Sequence, residues 1–320
     1  MRSISARAAT VCLTLALPTF AWAQSKGRLN PVIALQEAGR PVFGIAHPDI
    51  VRRAGRGGPP GGTTTPPTAP IASPLPEIVI SDVAKETVGY TRADFLFTQG
   101  TSDTFLKYIE EITRAGGSMH THPFSAKIGI WHANPTNSNA AIIRQLNAGH
   151  VNVSAEQVES AQEVRDVIRA MRFAMAGGTR PDSGLTAAAA YWGLTVDQYK
   201  QKADVWPLNQ RGELFVSVII ESKEGIARAR EIAAEPGVGQ IFVGYGTLGG
   251  VFRDDPAGRE AGAAQILAAC KEYKVPCGFP TNTPADMEQR MKEGWRVFIM
   301  QRRDEAGFGA VETGRKMSGR

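Results

Sequence analysis

Two rhythms of apolar and polar positions recur along the chain. Short β-rich runs, apolar at every second position or throughout, alternate with amphipathic stretches of ten or more residues at helical period. The strand candidates are Pro41–Ile45, Asp94–Thr98, Lys127–Ala133, His150–Ser154, Leu214–Glu221, Gln240–Gly244, Val275–Phe279 and Arg296–Gln301. Between them the pattern predicts helices over Asp103–Ala115, Asn139–Ala148, Ala155–Met175, Gly225–Ala234, Ala257–Lys274 and Pro284–Glu293. Phe215–Ile220 is nearly unbroken apolar sequence, as expected of a strand covered on both faces. Two helix starts carry cap chemistry: Ser154-Ala155-Glu156-Gln157 has the form of a capping box, and Thr283 precedes a proline at the first helical position. Eight strand–helix units with no long all-helical or all-β block predict a (β/α)8 TIM barrel. A doubly wound sheet shares the alternation, and periodicity alone does not separate the two.

Three segments stand outside this rhythm. Met1–Ala23 has Arg2 and Arg7, then an apolar run from Ala8 to Phe20, then Ala21-Trp22-Ala23 as a small-x-small cleavage site, and reads as a secretory signal. Residues 52–76 are dominated by Gly, Pro, Thr and Ala and read as a flexible insertion. Gly177–Arg211 is too long for an ordinary connection and reads as a long loop, of the kind that forms lids or oligomer contacts. The expected organisation is therefore a signal over 1–23 and one barrel domain over 24–320, in an exported protein, periplasmic or secreted. No other stretch approaches the roughly 20 apolar residues of a membrane span.

Composition narrows the partners. The 320 residues are 42% hydrophobic and 21% charged, enough apolar content for a large core. Without the signal the chain has 34 basic against 31 acidic side chains, a net of +3 with no basic cluster, which argues against nucleic acid as a partner. Cys12 lies in the signal, leaving Cys270 and Cys277, too few for a disulfide-built scaffold. They either bridge a helix end to the next strand or stand as two buried thiols.

In a barrel the reacting groups sit at the C-terminal ends of strands, which gives Gln99, His132, Glu221, Thr247 and Asn282. Glu221 is the most informative, a carboxylate ending an apolar strand, where an unpaired charge is costly and a metal, a base partner or a salt bridge must compensate. Gly244-Tyr245-Gly246-Thr247-Leu248-Gly249 fits G-x-G-x-x-G after a strand, but a dinucleotide site needs a helix to begin inside the motif. The sequence that follows reads as a loop, so the plain meaning is a turn whose backbone N–H groups approach a small anion such as a carboxylate. His120 and His122, at i and i+2, suit a metal on extended backbone, yet they precede the third strand rather than ending it. His132 stands at the productive rim, as a ligand or as a hydrogen-bonded structural histidine.

An ordered set of segments resembles the HpcH/HpaI aldolase/citrate lyase family: Gly39–Gly44, Ile142–Gly149, Ala155–Val167, Ile219–Ser222, Pro236–Gly244 and Gly294–Met300. The resemblance implies a phosphoenolpyruvate/pyruvate-type barrel, assembled as a hexamer or trimer, that cleaves or forms C–C bonds of 2-oxo acids. It also implies a divalent metal, Mg²⁺ or Mn²⁺, on the keto and carboxylate oxygens of the substrate. Position by position, Glu221 matches the first metal-binding carboxylate, and the loop Gly244, Tyr245, Gly246, Thr247 matches the one that holds the substrate carboxylate. The second metal-binding carboxylate falls on Thr247, and the arginine that steadies the enolate oxygen falls on His132 or Ala133. The segment that supplies the family's histidine is Thr98-Gln99-Gly100 here. His132, as ligand or electrophile, and Arg180 from the long loop are the candidates to compensate. The function expected is an aldolase-like carbon–carbon lyase on a small oxo acid. The alternative is a non-catalytic exported barrel that binds a small carboxylate or aromatic metabolite, and a metal-dependent hydrolase built on His120 and His122 is a third reading.

Overall fold

A computed structural model describes residues 27–46, 77–89, 93–98, 104–302 and 304–320; the signal, the insertion 52–76 and Gln99 lie outside them. Among the described residues nine strands run in parallel: β1 (Val42–Ala46), β2 (Phe95–Thr98), β3 (Phe124–Ile130), β4 (Asn152–Glu156), β5 (Val205–Trp206), β6 (Leu214–Ile220), β7 (Val238–Val243), β8 (Cys277–Thr281) and β9 (Val297–Met300). β1 pairs with both β2 and β9, and β4 pairs directly with β6 from Asn152↔Phe215 to Ala155↔Val218. All strands except β5 thus close on themselves, and closure is what separates the (β/α)8 barrel from a doubly wound sheet. β5 is a two-residue addition on the side of β6. Among the described residues no helix is long and apolar enough to cross a membrane.

Most predicted elements stand within a few residues of their expected bounds, and two shifts matter for the site. The third strand begins at Phe124 rather than Lys127, which moves Lys127 from strand start to mid-strand and leaves His132 two residues past the strand's end. The fourth strand runs on to Glu156, so Ser154–Gln157 is strand and turn rather than a helix start. Ser154 is buried with its hydroxyl on Asn152, and Gln157 turns the chain with φ +47°. The helix begins instead at Ala161, where Ser160 accepts from the Glu163 N–H. At the other predicted cap, Thr283 accepts from the Asp286 N–H ahead of the helix Pro284–Glu293, with the proline where no N–H is needed.

The segment 177–211 is built rather than open. It contains the helices Thr186–Tyr191 and Val196–Lys202 and strand β5. Its aromatics anchor it below the barrel: Tyr191 Oη donates to His122 O (2.6 Å), Trp192 Nε1 to Gly149 O (2.9 Å) and Tyr199 Oη to Leu146 O (2.9 Å). Those carbonyls precede β3 and β4, so the segment packs at the N-terminal rim and is no lid over the C-terminal one. The two cysteines are bonded: Cys270 in the helix Pro256–Tyr273 is joined to Cys277 at the start of β8, with Cα atoms 5.7 Å apart.

A buried carboxylate clamps the same N-terminal rim. Asp94, just before β2, accepts from the Phe43 N–H (2.9 Å) and from the guanidinium groups of Arg315 (2.8 Å) and Arg320 (2.9 Å). Asp94→Ala removes the acceptor common to all three and leaves two partly buried cations uncompensated. It is expected to cost about 3 kcal/mol of unfolding free energy, measured as a lower denaturant midpoint at constant slope.

Candidate active site

Side chains alternate inward and outward along each barrel strand. On β3, Phe124, Ala126 and Ile128 are buried against the helices while Ser125 and Lys127 face the barrel; on β4 the inward set is Asn152, Ser154 and Glu156. On β6 it is Phe215, Ser217, Ile219 and, one residue past the strand, Glu221. The deeper polar groups satisfy one another: Ser125 bonds Asn152, Ser154 bonds Asn152 (3.0 Å), and Gln240 bonds Ser217 (2.7 Å). The upper ones open into a cavity of about 490 Å³ at the C-terminal rim, lined among others by Lys127, Glu221, Gly244–Thr247, Arg259, Asn282 and Arg290.

Glu221 is 7% exposed, and Lys127, the cation that acts on it, is paired with Glu156. Burial lifts its pKa above the ordinary carboxylate value; the charge of Glu156 adds to the rise, while the Thr247 hydroxyl, Lys127 and the Gln157 N–H oppose it without cancelling it. The glycine at 244 has a steric reason. A Cβ there would lie 2.2 Å from Glu221 Oε2, so any larger residue would displace the carboxylate from its place. Lys127 Nζ is 2.8 Å from Glu156 Oε1, an ion pair spanning β3 and β4 at the cavity wall beside Glu221.

The wall that runs on from Gly244 is aromatic and carries charges of both signs, Arg259 and Arg290 with Asp286. Gly244 caps a short helix, Tyr245–Val251, where the sequence reads as a loop. The Arg259 guanidinium lies 3.4 Å from the Tyr245 ring centroid and donates to Tyr245 O. The Tyr245 hydroxyl bonds Glu260, and Arg290 covers the Phe279 ring at 3.9 Å while pairing with Glu260 (3.3 Å) and Glu293 (3.0 Å).

No protein-family model matches the chain. It is 28% identical over 172 residues to a hydroxypyruvate/pyruvate aldolase of Paraburkholderia phytofirmans, covering 52% of this chain and 63% of that one. It is also 28% identical over 163 residues to a 2-dehydro-3,6-dideoxy-6-sulfogluconate aldolase of Pseudomonas putida, covering 50% and 60%. The matches thus span less than two thirds of the length of either relative. Across the whole fold, a HpcH/HpaI aldolase/citrate lyase family protein of Burkholderia cenocepacia superposes with a TM-score of 0.62 at 18% identity, over 89% of this chain and 96% of that one. The chain resembles the HpcH/HpaI aldolases. It has their barrel.

Set against that aldolase pattern, Glu221, Gly244, Tyr245, Gly246 and Thr247 come together at one cavity, with Asn282. Two expected residues do not join them. His132 turns outward, where its Nδ1 meets Glu163 Oε2 at 3.1 Å. Arg180, expected to compensate at the site, is 1% exposed at the opposite rim, bonded to Asn147 and Tyr199 (both 3.0 Å) and stacked on Phe173. His120 and His122 also lie before β3 and bond the carbonyls of Leu29 and Val88, so the hydrolase reading loses its geometry. Sequence reasoning missed Lys127, Glu156 and Arg259. Strict alternation from Phe124 was the signal available for Lys127.

Proposed function

We propose that this chain is an aldolase-like carbon–carbon lyase acting on a small 2-oxo acid, with pyruvate or hydroxypyruvate as the enolising partner. The observation that carries the reading is Glu221, a buried carboxylate at the C-terminal end of a barrel strand, in a cavity it shares with Thr247 and Lys127. Both relatives named above are aldolases, which gives the non-catalytic alternative no support.

The donor set fits a hard divalent cation in kind. Glu221 and the Thr247 hydroxyl are oxygen donors, and Glu221 takes hydrogen bonds from neutral groups rather than an ion pair. Among the described residues no group of three or more His, Cys, Asp and Glu gathers, so substrate oxygens and water would fill the remaining positions. Mg²⁺ or Mn²⁺ held there would act as a Lewis acid toward the keto oxygen. The rest is the work of the chain. Lys127, fixed by Glu156, brings a positive charge to the wall where the enolate oxygen develops, the task that the resemblance gives to an arginine. Gly244 and the first helical turn that follows it, Tyr245–Thr247, orient the substrate carboxylate, and the apolar lining of Phe97, Ile219 and Phe242 limits water.

We further infer export to an oxidising compartment, supported by the signal-like leader and the bonded cysteine pair, and assembly as a homo-oligomer, as the resemblance implies. The test of the lyase reading is enolisation, which requires no knowledge of the aldehyde. In D₂O with Mg²⁺, the protein is expected to exchange the methyl protons of pyruvate well above the buffer rate. No exchange with either pyruvate or hydroxypyruvate, with Mg²⁺ or Mn²⁺, would overturn it.

A further inference from the structure

We propose that a second cavity, at the N-terminal rim of the barrel, is a binding site for a small polyanion of phosphate type. Its volume is about 330 Å³, and it shares no residue with the cavity around Glu221. Three helix-to-strand connections build its wall: Arg40 precedes β1, Lys271 and Lys274 stand at the end of the helix that leads to β8, and Arg296 precedes β9. Leu267 and the bonded pair Cys270–Cys277 supply an apolar part. The four cations are scattered along the sequence, and the closed barrel gathers them. Among the described residues no acidic side chain lines this cavity.

Like charges around one recess repel unless something answers them, and the acids of the same three helices are held elsewhere. Glu37 takes Arg28 and Trp206 Nε1, Glu272 takes Arg230, and Glu293 takes Arg290 and Trp295 Nε1. Helix C-termini also favour cations, but these three close their last turns with backbone N–H groups, Arg40 N–H on Leu35 O, Val275 N–H on Cys270 O and Trp295 N–H on Arg290 O. Lys271 serves one such end, its Nζ donating to Glu293 O (2.9 Å). Arg40, Lys274 and Arg296 have no ion pair or side-chain hydrogen bond among the described residues. A carboxylate offers two oxygens in one plane, whereas tetrahedral phosphate groups meet cations from several sides, and an arginine grips each with paired N–H donors. A recess of this volume suits a metabolite-sized ligand rather than a folded partner.

The test is calorimetry on the full chain without added metal, with pyrophosphate as probe and tricarballylate, of comparable charge on planar carboxylates, as comparison. Wild type is expected to bind pyrophosphate at least about tenfold more tightly than tricarballylate. Arg40→Gln and Arg296→Gln are each expected to weaken pyrophosphate by about tenfold. Lys107→Gln, which removes the same charge from the helix Thr104–Arg114, should leave it unchanged. A second readout needs no variant: in wild type, pyrophosphate should shield Lys274 from acetylation while Lys107 reacts as before. Absence of pyrophosphate binding, equal affinity for tricarballylate, undiminished binding in both arginine variants, or acetylation of Lys274 at the free rate under saturating pyrophosphate would each overturn the site.

Discussion

Glu221→Gln should slow pyruvate methyl exchange by at least about a thousandfold while making the metal-free protein harder to unfold at neutral pH. The loss follows from the donor set: the amide keeps the shape of the carboxylate but removes a negative charge whose hydrogen bonds come from neutral groups. The gain follows from the raised pKa. When folding lifts the pKa of an acid, the neutral form is favoured in the folded state. The associated stability is fully present below the ordinary carboxylate pKa and is lost as pH rises through the higher folded value. At neutral pH the ionised Glu221 therefore works against the fold, and glutamine relieves it. Thermal unfolding with chelator present should give a higher Tm for the variant at pH 7, with the difference shrinking as the pH drops into the ordinary carboxylate range. Adding Mg²⁺ should reverse the order, since only wild type gains from binding. A variant that retains bound metal, or one no more stable than wild type at pH 7, would contradict the place given to this side chain.

Lys127→Met should lower the exchange rate by about a hundredfold, with most of the loss in kcat rather than KM. Methionine fills the same inward position on β3 but brings no charge to the developing oxyanion. Lys127→Arg should recover a substantial part of the rate, because an arginine can still pair with Glu156 while presenting a cation to the cavity. Glu156→Gln separates charge from position: it keeps the cation and removes its tether, so it should raise KM more than it lowers kcat. If the methionine variant reaches wild-type kcat, Lys127 is part of the wall and nothing more.

The barrel was legible because its determinants are local. Period-two strands, helices of predictable length and the Thr283–Pro284 start each depend on a few neighbouring residues. Glu221 was legible for a related reason, since a charge ending an apolar strand stands out against its surroundings. Lys127 was hidden by a three-residue error in where β3 begins, which turns an inward residue into an edge residue. The Ser154 pattern imitates a capping box because serine and glutamate also suit the polar inner face of a barrel strand. Arg180 and His132 misled in another way. Arg180 belongs to the long segment and is drawn below the barrel by Asn147 and Tyr199, while His132, just past β3, is turned outward by Glu163. Such partners are fixed by tertiary packing, which sequence spacing does not encode.

The bond between Cys270 and Cys277 has a mechanical meaning beyond its own neighbourhood. It ties the last turn of an 18-residue helix, about 27 Å long, to the start of β8. Arg259 sits in the first turn of that helix, and β8 carries Phe279, whose ring touches Tyr245. The covalent tie thus acts as the fixed end of a rod whose free end carries the guanidinium, and sliding of the helix along the barrel is blocked at the point where it would shift the cavity wall.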